Sequence, residues 1–245
     1  MLGKTMPQRT ATYAEAFFPL GIGFERASKI ILQVDRRLVS GEFIAQKEMR
    51  ALGHNLVRLF DVVEQVCERR YPGDSRFSRP VDTVHVHIVG ILGEFAGGGR
   101  YFHLDYLGGA NSSGGDAAAQ WWDVVVAEVS KRHYTKARRD RDRERAGIIG
   151  SAFDGVAIVR DSLVNGADLD SIEKAVAVSS ENDATIPWCR MYTLQIARWL
   201  VRILIELGYD GAGNPDIPYF AEFFRSLNQE DVTLRSRKTW MMSHH

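Results

Sequence analysis

Cysteine is scarce in this chain: Cys67 and Cys189 are the two among 245 residues. Two are too few for a disulfide framework, and no CxxC pair offers zinc a foothold. Long apolar runs are missing as well, since none approaches the roughly 18 residues of a membrane span. The opening MLGKTMPQRTATYAEAFF lacks the apolar stretch of a signal peptide. A cytoplasmic protein without membrane association is the expectation. Net charge is also absent, because 31 Lys and Arg balance 31 Asp and Glu. No whole-molecule field therefore draws the chain to nucleic acid or anionic lipid, and any such binding has to come from a local patch. No cofactor motif stands out, and none is expected to be bound.

What the chain does have is helical periodicity. Composition is that of a globular protein, with 45% hydrophobic and 25% charged residues, and the length fits one large domain or two small ones. Tyr13, Phe17, Leu20, Phe24, Ala27, Ile31, Val34 and Leu38 step by four and three, which predicts a helix over 12–39. Pro19, with Gly21 and Gly23 after it, predicts a kink or break within it. Met49, Leu52, Leu56, Leu59, Val63 and Val66 continue the rule to Arg70. Gly53 interrupts that stripe and marks a joint, after which His54 or Asn55 caps the next helix.

Residues 81–96 read either as a strand, from the alternation of Val84, Val86 and Ile88, or as a helix when Leu92 and Phe95 are included. The helix is preferred, because no partner strand appears elsewhere. Residues 97–116 carry seven glycines in 20 positions and read as a long loop or insertion. A helix is expected to restart with Asp116 as N-cap and to run on through the charged stretch to 147. Further helices are expected at 148–165, at 168–180 with Asp170 and Glu173 as a capping box, at 186–207 and at 219–227, with a tail after them. The whole predicts an all-α multi-helix bundle. Residues 1–146 form its core, with the glycine-rich insertion at 97–116, and residues 147–245 are helices packing on the same bundle.

Several groups of residues could carry chemistry. His85, His87, His103 and Asp105 suggest a metal site only if 81–96 is a strand. On a helix the two nearer histidines point to different faces, and no metal is expected. Within the glycine loop no Gly-Lys-Ser/Thr follows, which leaves a connector as the alternative to a phosphate cradle. The segment RYFHLDYL inside it admits two readings. Arg100 clamps a phosphate while His103, oriented by Asp105, transfers a proton; or the aromatic residues anchor the loop. Residues 131–147 hold eight Lys or Arg against three acids. That stretch is either a solvated helix face or a nucleic-acid footprint carried by Lys131, Arg132, Lys136, Arg138 and Arg139. Two further Arg/His pairs occur, Arg79 with His85 and Arg237 with His244. The last two histidines are equally readable as a purification-tag remnant.

FERASKIILQVDRRLVSGEF followed by LGHNLVRLF resembles the N-terminal half of HEPN domains. Ala27, Lys29 and Gly53-His54-Asn55-Leu56 match the family's pattern, with Asn55 in place of the usual Asp. The likeness covers residues 13–66. It implies a dimeric helical bundle and a role in prokaryotic antiviral defence or toxin–antitoxin systems. Many members are metal-independent endoribonucleases in which an Arg and a His, four to six residues apart, meet at a dimer cleft. It also implies RNA as substrate, a homo-oligomer, and a protein partner from the same operon. The Arg/His spacings depart from that pattern. Arg50 and His54 are separated by three residues, Arg100 and His103 by two, and Pro80 follows Arg79. The alternative is a non-catalytic helical module that binds a protein or a small ligand through the aromatic-rich region 95–122.

Overall fold

A computed structural model describes residues 6–97, 116–153, 161–163 and 168–239. The chain is an all-α multi-helix protein. Its first helices are α1 (Met6–Ser40), α2 (Gln46–Ala51), α3 (Leu56–Arg70) and α4 (Thr83–Gly97). After the glycine-rich stretch come α5 (Ala117–Gln120), wider π-type turns over Trp121–Val126, α6 (Ala127–His133) and α7 (Lys136–Ala152). Two-residue strands β1 (Asp161–Ser162) and β2 (Asp168–Leu169) pair antiparallel, with Asp161 opposite Leu169. The long α8 (Ile172–Asp210), then α9 (Phe220–Phe224) and α10 (Asp231–Ser236), complete the order.

The described chain divides into two compact units, each made of separate stretches of sequence. One contains 6–18, 116–153, 161–163 and 168–189; the other contains 19–97 and 190–239. The division falls inside α1, at Phe18/Pro19, and inside α8, at Cys189/Arg190. Both helices run unbroken through a proline, Pro19 and Pro187. Of the kink or break expected at Pro19, the break is absent, and the two helices expected at 168–180 and 186–207 are one. A proline in a helix costs the hydrogen bond to the carbonyl four residues earlier. Here those carbonyls belong to Glu15 and Asp183, both exposed, where water can satisfy them.

In the unit holding 19–97, the stripe read from the sequence is the buried one. Phe24, Ile31 and Val34 of α1 and Leu56, Leu59, Val63 and Val66 of α3 are buried. So are Val84, Ile88 and Leu92 of α4 and Leu200, Ile203, Leu204 and Leu207 of α8. Trp199 crosses this core, its indole N–H donating to the Phe77 carbonyl at 2.9 Å while its ring meets Phe60 edge-on at 5.3 Å. The preferred helix over 81–96 is observed as α4, Thr83–Gly97. Gly53 adopts φ +68°, a left-handed value that glycine alone takes without cost, and the stripe breaks there. Asn55, in extended backbone, caps α3 by accepting the Arg58 N–H at 3.0 Å.

His54 is exposed, and its Nδ1 lies 2.9 Å from Glu25 of α1. Lys29 also donates to Glu25, at 2.7 Å. Burial pushes the Glu25 carboxyl up, but the bonds and charges of Lys29 and His54 together outweigh it and hold Glu25 below the usual glutamate range. A folded-state value below the unfolded one adds stability that is full above the usual glutamate value, about 4.3, and is lost as pH falls through the folded value. Thermal melts of wild type and Glu25→Gln should therefore differ at neutral pH and converge in acid. A gap that stays constant with pH contradicts this pairing.

The other unit departs from the sequence reading in three places. The helix expected from Asp116 to 147 does begin at Asp116, which accepts from the Ala118 N–H at 2.9 Å and the Ala119 N–H at 3.3 Å. It breaks, however, at Tyr134 and Thr135. Thr135 swings to ψ 151° and its hydroxyl accepts the Arg138 N–H, so a new helix starts there. The helix expected at 148–165 is also absent as such: α7 ends at Ala152, and 161–162 is a strand. Lastly, α8 is capped by Ser171, which accepts the Lys174 N–H at 3.2 Å, while Asp170 pairs with the Lys174 ammonium at 2.8 Å. The Asp170/Glu173 capping box is thus replaced by a serine cap and an ion pair. Gly150 allows α7 to approach α8, since a Cβ there would stand 2.9 Å from the Glu173 Cβ. Phe17 packs on Trp121 at 5.2 Å, and His133 stacks flat on Trp188 at 3.7 Å.

Candidate nucleic-acid interface

The break at Tyr134-Thr135 turns the surface inward and forms a notch of about 640 Å³ beside α8. Ala127, Ser130 and Lys131 reach it from α6, Lys136 and Arg139 from α7, and Glu181 from α8. Tyr134 and Thr135 of the connecting turn complete the lining. Three cations thus face one concavity against the single carboxylate of Glu181. The helix α7 begins at its rim with no acidic residue in the first turn, so its positive dipole end adds to the cations.

The side chains around the notch are held in place. Ser130 is buried and donates to Glu181 Oε1 at 2.5 Å. Tyr134 is buried and donates its phenol to Asp142 Oδ2 at 3.1 Å. Burial, the bond to Asp142 and the charges of Asp142 and Glu181 push the Tyr134 phenol up against the opposing field of Arg138, so it stays protonated. Arg139 lies over the Tyr134 ring at 5.2 Å and donates to the Tyr134 carbonyl at 3.3 Å, which fixes its guanidinium at the rim. Among the described residues no carboxylate pairs with Lys131, Lys136 or Arg139. Such an arrangement suits a phosphodiester, whose charge the cations neutralise.

The sequence-derived nucleic-acid residues separate into two groups. Lys131, Lys136 and Arg139 line the notch. Arg132 is tied to Glu128 at 2.7 Å, and Arg138 to Asp142 at 3.5 Å, so both are spent along their own helices. Farther along α7, Arg143 stands 4.0 Å from Asp140.

Of the candidate catalytic residues, Arg100, His103, Asp105 and His244 lie outside the described residues. Arg79 sits over the Phe60 ring at 5.5 Å and is gripped by Asp61 at 2.6 Å and Glu64 at 3.5 Å. His85 is buried, its Nε2–H donates to Gln195 Oε1 at 2.8 Å, and its ring meets Tyr192 edge-on at 5.2 Å. Each therefore holds partners of its own. Arg237 donates to the Thr239 carbonyl at 3.0 Å, and its own carbonyl accepts from Arg190 at 2.7 Å. Burial first, and for Cys67 the charges of Glu64, Glu68 and Asp35 as well, pushes the Cys67 and Cys189 thiols up to about 12, which leaves neither as a nucleophilic thiolate at neutral pH. Among the described residues, no three His, Cys, Asp or Glu side chains converge as metal ligands, and no helix is long and apolar enough to cross a membrane.

Sequence reasoning missed Ser130, Tyr134, Thr135 and Glu181. Thr135 carried a usable signal, an N-cap residue at the head of a charged run. Glu181 carried none, because it reaches the notch from α8, 51 residues after its partner Ser130. Compared with protein-family models, curated proteins and solved structures, the chain matches none.

Proposed function

We propose that this protein binds RNA, seating the phosphate backbone in the notch with Lys131, Lys136 and Arg139. The observation that carries this reading is the gathering of three cations without carboxylate partners around one concavity, in a chain whose net charge is zero. The resemblance of residues 13–66 to HEPN domains supports RNA as the nucleic acid. It also supports a homodimer acting in a prokaryotic defence or toxin–antitoxin system. The reading commits to binding. Arg79 and His85 stay outside the site, because releasing either would strip Asp61 and Glu64, or Gln195, of its partner.

The test is the affinity of labelled single-stranded RNA as salt is raised. Three neutralised phosphates on a single strand give a log–log slope of about −2, or roughly a 20-fold loss of affinity between 50 and 200 mM salt. Binding that ignores salt, or no binding at the lower salt, rejects the reading.

A further inference from the structure

One group in the notch works against a polyanion. Glu181 lines it with its carboxylate, and among the described residues no cation pairs with that carboxylate. A carboxylate beside a phosphate is repulsive unless a donor stands between them. Two of the three notch hydroxyls have committed their protons, Ser130 to Glu181 Oε1 and Tyr134 to Asp142, while Thr135 accepts the Arg138 N–H and keeps its own. An ionised carboxylate has about four acceptor sites on two oxygens, and Ser130 occupies one of them. Ser130 is buried, so its short bond also fixes where Glu181 points. The notch therefore holds one oriented acceptor with spare capacity, placed among phosphate-binding cations.

A ribose supplies the matching donor, because its 2′-hydroxyl lies next to the phosphate, whereas deoxyribose has nothing to offer at that edge. We propose that Glu181 is the specificity-determining residue of the notch, accepting the 2′-hydroxyl of a bound nucleotide and rejecting a backbone that lacks it. This rests on the notch being the RNA site. A hydrogen bond to a charged acceptor sets the expected discrimination at about tenfold in favour of RNA over DNA of the same sequence.

The test titrates the full chain with matched single-stranded RNA and DNA. Wild type should prefer RNA by about tenfold. Glu181→Ala should bind DNA more tightly than wild type does, and its preference for RNA should collapse to near unity. Glu181→Gln removes the charge but keeps an acceptor oxygen, so it should tighten DNA binding while retaining a preference for RNA. A Glu181→Ala variant that keeps the full preference overturns the proposal. So does a Glu181→Gln variant with unchanged DNA affinity, which decides the matter if the alanine variant fails to fold. Wild type that binds both strands equally overturns the role of Glu181 and leaves the notch as the site. Wild type that binds neither overturns both.

Discussion

Reversing the three notch cations together, Lys131→Glu, Lys136→Glu and Arg139→Glu, is expected to weaken RNA binding by roughly a hundredfold at moderate salt, because three attractions become repulsions at one site. The control is an equal change of charge farther along α7. Arg141→Glu, Arg143→Glu and Arg145→Glu all fall on exposed positions of α7 outside the notch. This variant should lose only a few-fold, the share carried by long-range attraction. Arg139 also stacks on Tyr134 and bonds its carbonyl, so the double variant that keeps Arg139 separates charge from local structure. It should still lose roughly tenfold. Equal losses in the notch and control variants, read by anisotropy, would mean that the charged run acts as a diffuse field with no site.

The second large effect concerns stability and lies in the other unit. Asp35 of α1 is buried and accepts from Arg69 at 2.5 Å and from Arg70 at 2.6 Å. Arg70 donates further to the Asp35 carbonyl at 3.2 Å and stands 3.6 Å from Asp210, which accepts the Tyr71 hydroxyl at 2.9 Å. Arg69 is half in solvent and contributes little. Arg70 is largely buried, with a side chain 17% exposed. Asp35→Ala leaves that guanidinium without its closest acceptor, and removing one partner of a mostly buried pair costs about 3 kcal/mol. For a chain of this size that lowers the melting temperature by about 6–12 °C. Asp35→Asn keeps an acceptor and should lose less, and Arg70→Met combined with Asp35→Ala should recover part of the loss. A melt of Asp35→Ala within a degree of wild type would show that this network does not hold α1 to α3.

These two sites were legible in the sequence to different degrees, for physical reasons. The apolar stripes of α1 and α3 could be read directly, since Phe24, Ile31, Leu56, Leu59 and Val63 recur at helical spacing and are the buried residues. The joint at Gly53 and Asn55 was equally open, because a left-handed glycine and a capping side chain leave local marks. The break at Tyr134-Thr135 was hidden by the charge run around it. On α7 Ala146 is the one buried residue, so no stripe exists whose phase could reveal the interruption. The wide turns over Trp121–Val126 leave no local mark either, because hydrogen bonds that span one residue more change which side chains align without changing composition. Pro187 misled as the start of a helix, and Pro19 does not bring the break that was one of its two readings. A proline costs a helix less where the orphaned carbonyl can reach water, and exposure of Glu15 and Asp183 cannot be read from the residue letters. The basic patch was visible as charge. Which of its cations act together was not, because that depends on the ion pairs that withdraw Arg132 and Arg138 and on Glu181 arriving from α8.

The most direct test is to ask the RNA where it sits. A single-stranded RNA carrying photoreactive uridines is irradiated with the full chain, and the linked peptides are identified by mass spectrometry. Crosslinks should concentrate on 127–139 and on the segment of α8 around Glu181, and should disappear in the triple notch variant while surviving in the exposed-arginine control. Crosslinks centred on the peptides of Arg79 and His85, unchanged by the notch variant, would contradict the account.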